Sequence, residues 1–311
     1  MTSWINHTVP RKRINMTNTI LPNTNPIHPK IASPPSSSSS SSSFYNYNNK
    51  QSIIPQVPYV TSIPLNNTIE SIITQDMVYK TDTYPDTLKQ IEKFTNNHQD
   101  SLITFIVPTI NRISLYKTVL SILNQTITSW KMIILFDGCE PIDPLLLGLL
   151  NNSRIVFLSI NKKGNEADEQ KSHGSAGEVR NIGMKLVTTP WIGFVDDDDI
   201  LDSKYIESLL IELNETKMAD VVLFRMVDDF SVIPSIFCRE IKEGEIGISF
   251  VIKTSIIRNG YYFRQSRIED FNFIKQLEQD HKKIVISPFI MYYVNHSTPI
   301  SLRNLKRIIF N

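Results

Sequence analysis

Between Leu102 and Val227, short continuous apolar runs alternate with segments whose apolar residues recur at helical spacing. No other feature of the chain constrains its fold as much. Ile103 to Val107 (ITFIV) reads as a buried strand, after which Leu115, Val119 and Ile122 mark one face of a helix. Lys131 to Phe136 (KMIILF) and Arg154 to Ser159 (RIVFLS) read as the second and third strands. Ala176, Val179, Ile182 and Leu186 mark a helix stopped by Thr188-Thr189-Pro190, and Trp191 to Val195 (WIGFV) is a fourth strand. Ile206, Leu209, Leu210 and Leu213 give another helix, and Val221 to Val227 a fifth strand. Such alternation predicts an α/β fold, a mostly parallel sheet covered by helices on both faces. Ligands of such sheets sit beyond the carboxyl ends of the strands. The polar clusters of this chain fall there.

The alternation begins only near residue 100. Before Glu70 there are five basic residues and no acidic one, nine of the 17 prolines and none of the ten glycines, and an unbroken serine run from Ser36 to Ser43. Such a stretch buries too little apolar surface to offset the entropy of ordering it, so residues 1–85 are expected to be a disordered tail. Asp86, followed by Leu88, Ile91 and Phe94 at helical spacing, predicts an N-cap and a short helix with linker over 86–100. One folded domain over 101–311 follows. The net charge of +1 is thus a basic tail cancelling a mildly acidic remainder, which argues against a nucleic-acid partner. Cys139 and Cys238 are too few for a disulfide scaffold or a four-thiolate zinc site. No apolar run approaches the roughly 20 residues needed to cross a bilayer. The N-terminus lacks the apolar core of a secretory signal, so the expected location is the cytoplasm.

Asp196-Asp197-Asp198-Asp199 follows the fourth strand directly. Carboxylates crowded at the end of a buried strand repel one another, and a divalent cation relieves that repulsion. Hard oxygen donors suit Mg²⁺ or Mn²⁺. On an extended backbone Asp196 and Asp198 point the same way. The other reading of such a run is a solvated acidic loop with helix-capping duty for Asp202 or Ser203. An EF-hand does not fit, because Leu201 stands where its glycine belongs and Ile200 where a ligand belongs. Three more polar clusters occur. Val107 to Arg112 (VPTINR) follows the first strand. Gly174 to Asn181 (GSAGEVRN) opens a helix with Arg180 one turn in, a pairing that suits a phosphate oxygen. Glu269-Asp270 precedes a helix with Phe271, Ile274 and Leu277 on one face.

In order and spacing these motifs resemble the family 2 glycosyltransferases of the GT-A fold. The resemblance is carried by FIVPTINR (105–112), SILNQTITSWKMIILFDG (121–138), AGEVRNIGMKLVTTPWIGFVDDDDIL (176–201), RIEDFNFIKQL (267–277) and YYVNHSTPIS (292–301), and so covers about residues 101–311. It implies a GT-A-type, Rossmann-like sheet, a nucleotide-diphosphate sugar donor and an acceptor hydroxyl on a glycan, protein or lipid. By that resemblance Pro108, Thr109 and Asn111 line the nucleotide pocket, Asp137 faces the base, and Arg180 approaches the base or the diphosphate. Asp196 and Asp198 form the DxD pair around Asp197, which joins them in donor binding. Asp198 is the direct ligand of Mn²⁺ or Mg²⁺, and Asp196 the contact to ribose or sugar. Asp270 is the catalytic base, and His296 closes over the diphosphate or metal. One base and no protein nucleophile implies inversion at the anomeric carbon.

Phe136 replaces the first Asp of the family's usual pair and Cys139 its usual Ser, so the donor need not be a UDP-sugar. Two other functions compete. One is a haloacid-dehalogenase-type phosphatase with Asp196 as nucleophile and Asp198 as acid/base. The other is a GT-A domain that binds its ligand without catalysis. Motif order argues against the phosphatase, since about 95 residues of strand and helix pattern (101–195) precede Asp196. Residues 228–266 are expected to build the acceptor side, with Ile246 to Ile257 in the core.

Overall fold

Each of the five apolar runs is a strand of a single mixed sheet. In chain order the strands are β1 Ile103–Thr109, β2 Trp130–Asp137, β3 Ile155–Ile160, β4 Trp191–Phe194, β5 Ile200–Leu201, β6 Val221–Val227, β7 Val232–Ile233, β8 Phe250–Lys253 and β9 Ile284–Tyr293. The helices are α1 Tyr84–Asn96, α2 Leu115–Leu123, α3 Ser175–Lys185, α4 Tyr205–Thr216, α5 Thr254–Arg258 and α6 Glu269–Gln279. The computed structural model describes residues 84–141, 146, 148–149, 152–160, 175–227 and 231–294. All of them belong to one compact unit, Pro55–Asn311. The expected tail up to residue 83, Gly174 and His296 lie outside the described residues.

The strand order is β3-β2-β1-β4-β8-β6-β9-β5, with β7 beside β6. Strands β3, β2, β1 and β4 are mutually parallel, with Ile106 of β1 opposite both Ile133 and Phe194. Strand β8 runs antiparallel between β4 and β6, and β9 lies parallel to β6. The chain leaves β1 toward β2 and β3, then returns to β1's other side as β4. That reversal opens a crevice beyond the carboxyl ends of β1 and β4. Strands β1, β2 and β4 are buried along their whole length, as sheets covered on both faces require.

Two differences from the expected elements have local causes. Strand β9 shows neither alternation nor a continuous apolar run, because Ser287-Pro288 interrupts it and its register with β6 shifts twice. Helix α1 starts at Tyr84, two residues ahead of the expected cap at Asp86. Pro85 falls in its first turn, where no backbone N–H needs a partner. Ile91 and Phe94 are buried, and the buried Lys131 ammonium donates to the Phe94 carbonyl at 2.8 Å. Burial lowers the Lys131 pKa to about 8 against the pull of Asp100.

The core positions the polar clusters. Phe263 and Phe273 stack at 4.4 Å, Phe250 stacks on both, and Phe194 meets Phe250 and Phe263 edge-on. This packing seats α6 against the sheet through Phe273, Ile274 and Leu277, while Phe271 is only partly buried. Helix α3 lies so close to β1 and β2 that a Cβ on Gly183 would come within 2.8 Å of Ile106 and Leu135. Ile246 to Ile257 contains β8, whose Phe250, Val251 and Ile252 are fully buried. No helix among the described residues is long and apolar enough to cross a membrane.

Candidate active site

The four aspartates leave β4 in a turn and not as extended backbone, closed by the Asp199 N–H on the Asp196 carbonyl at 3.1 Å. Side-chain exposure still alternates through it. Asp196 and Asp198 are about one-third exposed, whereas Asp197 and Asp199 are buried. The two buried carboxylates are fixed from different strands. Thr109, at the carboxyl end of β1, donates its hydroxyl to Asp197 at 2.7 Å across the crevice. Burial pushes the Asp197 pKa up, Thr109 and Arg112 oppose it, and Asp198 and Asp196 add to it. Asp199 is held by the Tyr292 hydroxyl of β9, which also accepts the Asp196 N–H at 3.0 Å. Thr118 of α2 donates to the Asp199 carbonyl at 2.7 Å.

Arg180 organises the rest. Its guanidinium, on α3, is 3% exposed and reaches Asp196 at 2.5 Å, Glu269 at 2.5 Å and Asp270 at 3.6 Å. Burial opposes its charge, but those carboxylates hold it protonated. The ring of Phe263 lies 5.5 Å from the guanidinium, pinned to α3 by paired 2.8 Å hydrogen bonds with the Asn181 amide. Gly177 lets the start of α3 approach Glu269, because a Cβ there would lie 2.6 Å from Glu269 Oε2. Its N–H donates to the same oxygen at 3.3 Å.

One guanidinium thus faces three carboxylates, and the two on α6 respond. Burial raises the Glu269 pKa to about 7, with Arg180 opposing and Asp270 and Asp196 reinforcing. Burial likewise raises Asp270 to about 6, again against Arg180 and with Asp196. Asp270 Oδ1 is buried with no hydrogen-bond partner among the described residues. The Asp270 side chain is nevertheless one-quarter exposed, and a partly exposed carboxylate with a pKa near neutrality can accept a proton from a substrate hydroxyl.

The remaining expected residues surround the same crevice. Pro108 is buried within β1. Thr109 is 3% exposed and its hydroxyl is committed to Asp197, so its contribution is to hold that carboxylate. Asn111, with a left-handed φ of 65°, donates its N–H to Thr109 Oγ1 at 2.9 Å and its amide to the Glu140 carbonyl at 3.2 Å. Asp137 ends β2, buried. Phe136 is buried edge-on to Phe157, so the residue in the place of the family's Asp belongs to the core. Burial, then Asp137, Glu140 and Asp197, pushes the Cys139 thiol pKa up.

Arg112 was not among the expected site residues, yet it bonds Asp198 at 2.9 Å and Asp197 at 3.1 Å. The last residue of VPTINR was its only signal. Ile257, Gly260, Tyr261 and Tyr262 of the expected acceptor region line a cleft of about 360 Å³ together with Asn181, Met184 and Lys185. Among the described residues no three His, Cys, Asp or Glu side chains converge as metal ligands. Asp198 and Asp196 nevertheless fit Mg²⁺ or Mn²⁺, which take one or two carboxylates where phosphate and water fill the other positions.

A Rickettsia bellii (strain RML369-C) protein described as an uncharacterized glycosyltransferase is 29% identical over 119 residues, 38% of this chain and 16% of its own. Poly(ribitol-phosphate) beta-N-acetylglucosaminyltransferase TarP of Staphylococcus aureus (strain N315) is 30% identical over 112 residues, 34% of this chain and 31% of its own. The chain spans less than a third of the length of either. S. aureus TarS 1-349 in complex with UDP-GlcNAc shares the fold with a TM-score of 0.50 at 18% identity, over 67% of this chain and 64% of that one. The sequence profile of glycosyl transferase family 2 matches residues 104–293, from β1 through the last residue of β9. The chain belongs to glycosyl transferase family 2.

Proposed function

We propose that this chain transfers a sugar from a nucleoside-diphosphate donor to an acceptor hydroxyl by a single, inverting displacement. The observation that carries the reading is Asp270, whose side chain is one-quarter exposed in the first turn of α6 while its buried Oδ1 faces the Arg180 guanidinium at 3.6 Å. An alcohol is a poor nucleophile near neutral pH, so Asp270 takes its proton as the oxygen attacks the anomeric carbon. Arg180 and the α6 N-terminus keep Asp270 available as the anion, although burial works against its charge. Asp198, with Asp196 beside it, would hold Mg²⁺ or Mn²⁺, and the ion would supply positive charge at the departing diphosphate. The phosphatase alternative is disfavoured because residues 104–293, Asp196 among them, match glycosyl transferase family 2. We place the enzyme in the cytoplasm, where its two free cysteines suit a reducing medium.

The relatives' names make UDP-GlcNAc the first donor to test. The full chain, incubated with a panel of nucleotide sugars, should release nucleoside diphosphate from one of them only with Mn²⁺ or Mg²⁺ present. Release unaffected by chelation contradicts the role given to Asp198. The pH dependence is equally specific. The base must be deprotonated, so kcat/KM should fall about tenfold per unit below a limb between pH 6 and 7 and level off above it. Glu269 and Asp270 share Arg180, so the limb reports the coupled pair. A flat profile from pH 5 to 8 places the base elsewhere.

A further inference from the structure

Two arginines meet the aspartate turn, and they are held differently. Arg180 is buried and gripped by three carboxylates. Arg112 is 48% exposed and stands on the short loop between β1 and α2, next to the left-handed Asn111. Both its side-chain contacts with the described residues run through one nitrogen, Nη1, to Asp198 Oδ2 and Asp197 Oδ1. Asp196 is served by Arg180, Asp197 by Thr109 and Asp199 by Tyr292. Among the described residues, Asp198 has Arg112 alone as its ion-pair partner.

We propose that Arg112 is an exchangeable counter-ion, which neutralises Asp198 in the metal-free protein and yields that carboxylate to a divalent cation. The freed guanidinium then pairs with the diphosphate of the donor. The proposal rests on the reading of Asp198 as the cation-binding carboxylate. A guanidinium and a divalent ion repel each other at a shared carboxylate, so they exclude one another until an anion arrives. A diphosphate is that anion, and the planar fork of Arg suits its oxygens. Arg112 should therefore oppose cation binding in the absence of nucleotide and support nucleotide binding in the presence of cation. A purely structural role would move both affinities the same way.

The test uses the full chain with Arg112→Gln and Arg112→Lys, following Mn²⁺ binding by loss of the free-ion EPR signal and UDP binding by calorimetry at saturating Mn²⁺. The side chain is half exposed, so neither change removes a buried group. Arg112→Gln should bind Mn²⁺ alone about three- to tenfold more tightly and Mn²⁺-dependent UDP at least about fivefold more weakly. Arg112→Lys should keep Mn²⁺ affinity near the wild-type value and recover part of the UDP affinity. A folded Arg112→Gln protein that binds Mn²⁺ alone no more tightly than wild type overturns the exchange while leaving Asp198 as a cation site. If neither wild type nor variants bind Mn²⁺, with or without UDP, the cation reading itself falls, and the exchange with it.

Discussion

Asp270→Asn should reduce sugar transfer by about 10²- to 10⁴-fold, the range spanned by a positioned general base. The amide has the shape of the carboxylate but cannot accept the proton of the incoming hydroxyl. Donor binding should change by less than about threefold, because the interaction removed belongs to the transition state. The acid limb of the pH profile should shrink to what Glu269 alone contributes. The variant should be no less stable than wild type, since it removes one of three carboxylates crowded around a single guanidinium. Loss of turnover with donor affinity and stability kept distinguishes a base from a residue that merely supports the fold. If more than about a tenth of wild-type turnover survives, the proton goes elsewhere.

The largest effect on stability should come from Arg180→Met. Removing one partner of a buried ion cluster leaves uncompensated charge, which typically costs about 3–5 kcal/mol. Here Asp196, Glu269 and Asp270 would all lose the same cation. The pH dependence follows from the direction of the shifts. Glu269 and Asp270 already titrate above their ordinary values, so the folded state binds protons more readily than the unfolded chain. Stability contributed by such groups falls as pH rises through the folded pKa. Without Arg180 both pKa values should rise further, making the defect greatest near pH 8 and smaller near pH 5. Urea unfolding of both proteins at the two pH values measures this. A deficit below about 1 kcal/mol at pH 8 would show that Arg180 is not the centre of the cluster.

What local pattern could reveal here was the part of the molecule built from local pattern. Ile103 to Val107, Met132 to Phe136 and Trp191 to Phe194 are mainly apolar runs, and each lies in a buried parallel strand. Strand β9 escaped because Pro288 and its register shifts erase periodicity, and β5 and β7 because two residues have none. The acidic site residues were visible as runs. Which side chains pair with them was not, because Thr109 reaches Asp197 across 88 positions and Tyr292 reaches Asp196 across 96. Only the return of β4 to β1's side brings Thr109 and Asp197 together. The turn at Asp196–Asp199 likewise overrode extended geometry, because Tyr292, Thr118 and Thr109 fix its carbonyl and carboxylates from three different elements.

The proposed reaction is a single displacement by an acceptor oxygen activated at Asp270. Slow hydrolysis tests it without knowledge of the acceptor, because water can take the acceptor's place. The measurement is the anomeric configuration of the sugar first released from an α-linked nucleotide sugar, read by proton NMR before mutarotation. The β-anomer is predicted. Initial release of the α-anomer would contradict the single displacement, since retention requires a second displacement or attack from the leaving group's own face.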